Sequence, residues 1–132
     1  VGTHPLAVDV FTVSEAAGGT VNFTLTGGPD NSGRNYIVLG GISGTAPGTS
    51  LPGGFETLRL NWDVFTDVVL LLINTPVVSD FLGNLDASGT ASAKLNAPPL
   101  PPGFVGVNMY YAYCLNNYFD FVSNPIAVEI VP

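Results

Sequence analysis

The chain is poor in the residues that do chemistry. One cysteine, one histidine, one lysine and one tryptophan stand among 132 residues, and charged side chains make up only 10% of the total. A single cysteine rules out an internal disulfide, and Cys114, set in Tyr-Ala-Tyr-Cys-Leu, reads as a buried structural thiol. Tetrahedral zinc needs three or four nitrogen or sulfur ligands, more than one His and one Cys supply. A hydrolytic triad needs a base beside its nucleophile, and His4, next to Pro5 near the start of the sequence, is poorly placed to be one. Gly41-Ile42-Ser43-Gly44-Thr45 misses the Gly-x-Ser-x-Gly elbow, because Thr45 stands where the second glycine belongs. Three basic against ten acidic residues leave a net charge of −7. That balance argues against nucleic acid and anionic membranes, which both need clustered Lys and Arg. Membrane insertion by a helix is disfavoured too: the longest aliphatic run, Val68 to Ile73, lies between Asp67 and Asn74 and is far short of the ~20 apolar residues a span requires.

What is present is a folding core. Hydrophobic residues make up 46% of the chain and include eight Phe and five Tyr, too many for disorder. The length suits one domain, residues 1–132. A mean hydropathy of +0.40 without a spanning run places the apolar excess in a core or in contacts with other chains.

Strand patterns dominate. Leu6 to Val13 alternates and, with Thr20 to Thr26, reads as a hairpin. Gly27 to Gly33 reads as a loop and Asn35 to Leu39 as a strand. Gly40 to Gly54, with six glycines and two prolines, reads as a long ordered loop. Glu56 to Leu60 is a strand candidate, Asn61 to Asp67 a helical turn capped by Asn61, and Val68 to Ile73 a central strand buried on both faces. Thr75-Pro76 matches an N-cap followed by a first-turn proline, predicting a short helix over Val77 to Leu82. Thr90 to Leu95 is a half-buried strand, Pro98 to Gly103 a polyproline-like crossover, and Ile126 to Val131 the last strand. Val107 to Leu115 sends Met109, Tyr111, Tyr113 and Leu115 to one face and Tyr110, Ala112 and Cys114 to the other, predicting a strand covered on both sides. The fold class is therefore all-β: a sandwich of jelly-roll or immunoglobulin-like type with long Gly/Pro-rich loops.

Acidic residues read as turn and cap formers. Asp30, Asp63 with Asp67, and Asp86 lack the ligand spacing of a calcium loop. No catalytic residue, metal ligand or cofactor site is assigned, and the chain is read as a non-enzyme. The aromatics Trp62, Tyr110, Tyr118 and Phe119 are candidate interface or ligand-platform residues, since rings of this kind serve protein contacts and sugar stacking alike. Asn22-Phe23-Thr24 is a glycosylation sequon that places Asn22 on a solvent-facing position.

Gly18-Gly19-Thr20-Val21-Asn22-Phe23, Leu51-Pro52-Gly53-Gly54, Leu60-Asn61-Trp62-Asp63, Leu85-Asp86-Ala87-Ser88-Gly89 and Phe119-Asp120-Phe121-Val122-Ser123-Asn124-Pro125 together give the chain a recognisable signature. It resembles a glycine-rich β module found at the ends of large secreted proteins of planctomycete-like bacteria, over nearly its whole length. The resemblance implies an extracellular, non-catalytic module and carries no catalytic residue. The functional expectation is an extracellular or cell-surface structural protein, its secretion signal absent from this chain. It assembles with copies of itself through strand edges or apolar faces into a filament or surface layer. The alternative is a carbohydrate-binding or adhesion module of a larger secreted protein, with polysaccharide as partner.

Overall fold

A computed structural model describes residues 5–51, 53–54, 56–116 and 119–132. The chain is an all-β sandwich. Its elements in order are β1 (Leu6–Val8), β2 (Thr12–Ser14), β3 (Gly19–Thr26), β4 (Asn35–Gly41), β5 (Thr49–Ser50), β6 (Thr57–Leu58), α1 (Val64–Leu71), β7 (Val78–Ser79), β8 (Leu82–Asn84), β9 (Thr90–Ala97), β10 (Asn108–Leu115) and β11 (Ile126–Val131), with one 3₁₀ turn at Pro29–Asn31. One sheet runs β1-β3-β9-β7 and the facing sheet β2-β11-β10-β4-β8. The β5-β6 hairpin forms a small sheet of its own.

The long interior strands follow directly from period-two patterning. In β3 the inward Val21, Phe23 and Leu25 are buried while Asn22 and Thr24 face solvent. In β10 both faces are covered, as the sequence predicts. Met109, Tyr111, Tyr113 and Leu115 join the main core between the sheets. Ala112 and Cys114 join a second apolar cluster with Leu39, Leu51, Leu58 and Leu60, where the β5-β6 hairpin lies over the outer face of the second sheet. The ring of Tyr111 forms the hub of the main core, edge-on to Phe23 at 5.1 Å and to Phe81 at 6.1 Å between centroids.

Four local expectations are corrected. Leu6 to Val13 is two strands: β1 pairs antiparallel with β3, then the chain crosses and β2 pairs parallel with β11. Leu6 and Val13 are both buried although their positions differ in parity, because each points inward from an opposite sheet. The segment Val68 to Ile73 is helical up to Leu71, not a strand. Asp63, rather than Asn61, is its N-cap and forms a capping box with Thr66, which outweighs the β preference of the valines. Val77 to Leu82 contains no helix: Val78 pairs with Leu95 and Leu82 with Ile37, and Asp80 turns between them at φ 59°. Register with β9 and β4 wins over the Thr-Pro signal. The Gly40 to Gly54 region, finally, holds the end of β4 and strand β5, and its β6 partner is two residues long.

Candidate functional site

An apolar cleft of about 320 Å³ opens at one end of the sandwich, between the two sheets. The floor belongs to β10 and β11, through Met109, Tyr111 and Ile130; α1 and its C-cap supply one wall through Phe65, Val69 and Leu72. The opposite wall is the proline-rich crossover with Leu100 and Phe104, and Ile42 and Val68 stand at the mouth, where both are exposed. Every side chain that lines it is aliphatic, aromatic, thioether or proline. The one hydroxyl among them, on Tyr111, donates to the Met109 sulfur at 3.4 Å and is buried.

Two carboxylates hold the walls in place. Asp63 Oδ1 accepts the Thr66 backbone N–H at 3.1 Å, while Oδ2 accepts the Ile42 N–H at 2.9 Å and the Ser43 hydroxyl at 2.7 Å. The start of α1 is thereby tied to the end of β4. Burial pushes the Asp63 carboxyl upward, but these hydrogen bonds from Ser43, Ile42 and Thr66 outweigh it and hold the pKa below the ordinary value. A substituent at Gly41 would press on the same network, since a Cβ there meets the Asn61 carbonyl at 3.1 Å and Asp63 Oδ2 at 3.5 Å. On the far wall, Glu15 Oε2 accepts the backbone N–H groups of Phe104 at 2.6 Å and Val105 at 3.1 Å. Its own carbonyl accepts from Leu100 at 2.7 Å, so one residue clamps the crossover twice.

The aromatic candidates are dispersed by the fold. Trp62 is 46% exposed, and its indole N–H donates to Asp67 Oδ1 at 2.9 Å. Tyr110 and Phe119 are half-buried against the second apolar cluster. Tyr118 and His4 lie outside the described residues. Asn22 is exposed on β3, but its Nδ2 already donates to Asp9 Oδ2 at 2.7 Å. Among the described residues no group of three or more His, Cys, Asp or Glu side chains is arranged to hold a metal ion. Asp86 accepts the N–H groups of Ser88 and Thr90 in a turn, and Asp120 pairs with Arg34 at 2.7 Å. Cys114 is free and buried, and burial pushes its thiol up to about 11.

The cleft itself is not apparent in the sequence. Its lining comes from residues as far apart as Val13 and Ile130, and in one dimension each looks like ordinary core. The detectable signal was narrower: Asp63 three residues before Thr66, ahead of an apolar run, is a helix-start pattern that reveals the wall α1 provides. Comparison of the chain with protein-family models, with curated proteins and with solved structures found no match.

Proposed function

We propose that the chain is a non-catalytic structural module of the extracellular surface, of the kind the planctomycete-like resemblance implies, and that it associates with copies of itself through an apolar face. The carrying observation is the outward side of α1. Val64, Val68 and Leu71 fall on one helical stripe, and Val64 and Leu71 are 77% and 83% exposed. A helix whose outer side, Asp67 apart, is as apolar as its inner side belongs in an interior, and a second copy of the same stripe supplies one by two-fold symmetry.

Strand edges are the weaker route. The four outer strands of the two sheets, β1, β7, β2 and β8, are two or three residues long. Short edges discourage pairing with another chain. Both terminal segments are also already paired, β1 and β2 with β3 and β11, and β11 with β10. The strand order supports immunoglobulin-like over jelly-roll connectivity. The sheets β1-β3-β9-β7 and β11-β10-β4 correspond to the ABED and GFC arrangement, with the first strand divided between them. A polysaccharide platform is the second reading. Trp62 is the observation that favours it, since Tyr110 and Phe119 are largely covered.

Sedimentation over a concentration series tests the leading reading. The native chain should shift to larger species, and Leu71→Asp should lower association at least roughly tenfold while changing stability by under about 0.5 kcal/mol. Native monomers at every concentration would refute it.

A further inference from the structure

The end cleft meets the outward stripe of α1 only at Val68, on its mouth, and its walls narrow the choice of occupant. We propose that it is a binding site for an uncharged aliphatic chain of about ten carbons, such as the hydrocarbon part of an alcohol or ester. The size follows from its volume. About 320 Å³ is roughly twice the ~150 Å³ of an apolar protein cavity known to hold one benzene molecule. It also sits at the lower end of the range typical of small-molecule pockets.

Polarity narrows the occupant further. A water molecule in a protein interior needs two to four polar partners, and these walls offer it only a tyrosine hydroxyl already directed at a sulfur. Charge excludes the commonest aliphatic ligands, fatty acids. A bound carboxylate calls for an Arg or Lys at the mouth, and the three cations of the chain are elsewhere. Arg34 pairs with Asp120, Arg59 lies beside Val122 and Asn124, and Lys94 is on the exposed face of β9. The crossover is instead held by an acid, Glu15, committed to the backbone of Phe104 and Val105. Among the described residues an anionic head would find no cation there, whereas a neutral head can rest in solvent while the chain lies between Phe65, Leu100 and Met109.

The probe is N-phenylnaphthylamine, a neutral fluorophore, displaced by decanol or by decanoate at neutral pH. The proposal expects saturable binding at one site per chain, with decanol displacing the probe at least roughly tenfold more effectively than decanoate. Leu100→Trp, which fills the cleft, should abolish binding. Phe104→Arg, at the exposed rim, should narrow or reverse the preference for decanol and so reports on the site even if Leu100→Trp fails to fold. Non-saturable uptake of the probe, equal displacement by decanoate, or unchanged binding in a folded Leu100→Trp chain would overturn it. Leu71→Asp should retain ligand binding, which keeps the fate of this site distinct from that of self-association.

Discussion

Asp63 ties two elements together with one carboxylate. It caps α1 through Thr66 and, through its second oxygen, holds Ile42 and Ser43 against the helix start. Losing an N-cap oxygen costs about 0.5–2 kcal/mol, and here two further donors lose their acceptor. Asp63→Ala should therefore destabilise the chain by about 1–3 kcal/mol. Asp63→Asn should cost less, because asparagine caps as well as aspartate but offers one acceptor oxygen instead of two. Chemical denaturation of the two variants beside the parent checks the order; equal losses would mean the capping oxygen is not what matters.

At the scale of elements, the legible parts are those whose burial depends on one neighbour. Strands β3, β9 and β11 repeat with period two, and facing sheets bury that pattern as written, while β10 alternates in the same way but is covered on both faces. The misread parts are those where tertiary pairing or a cap decides. Val68 to Leu71 looks like a strand core in isolation, yet Phe65, Thr66, Val69, Leu70 and Ile73 turn inward at helical spacing once Asp63 sets the start. Half of the β5-β6 hairpin is legible, since β6 lies within the Glu56 to Leu60 strand candidate, whereas β5 is only two residues among glycines and prolines, too short to show any period. Its role is nevertheless testable. Leu58 is fully buried and shares the second apolar cluster with Cys114. In the native chain a thiol that is buried and pushed up to about 11 should react with an aromatic disulfide reagent only very slowly. Leu58→Ala should cost about 2–5 kcal/mol and speed that reaction in the still-folded protein. Fast reaction of the parent chain would show that the hairpin does not cover β10.

Over the whole molecule, net charge would oppose the proposed association of copies. A net charge of −7 on 132 residues makes copies repel, so contact between α1 faces should strengthen as salt shortens the Debye length from ~30 Å at 0.01 M to ~8 Å at 0.15 M. Acid should act in the same sense at first, because neutralising ordinary carboxylates carries the chain toward its isoelectric point near 4.1. Further acid should undo the fold. Asp9 is held below the usual carboxylate range by Asn22, Asp86 by Thr90 and Ser88, and Asp120 by Arg34; Asp63 joins them despite its partial burial. A carboxyl whose pKa is lower folded than unfolded binds fewer protons in the folded state. Its contribution is complete above the unfolded value of about 3.9 and is lost as pH falls through the folded value. Sedimentation should thus show larger species between pH 7 and roughly 4.5, while thermal midpoints fall only once the pH drops below about 4. A midpoint that falls steadily from pH 7 would mean that groups other than these four carboxyls govern acid unfolding, and association that ignores salt would separate assembly from charge and leave the apolar stripe of α1 without the opposing force assigned to it.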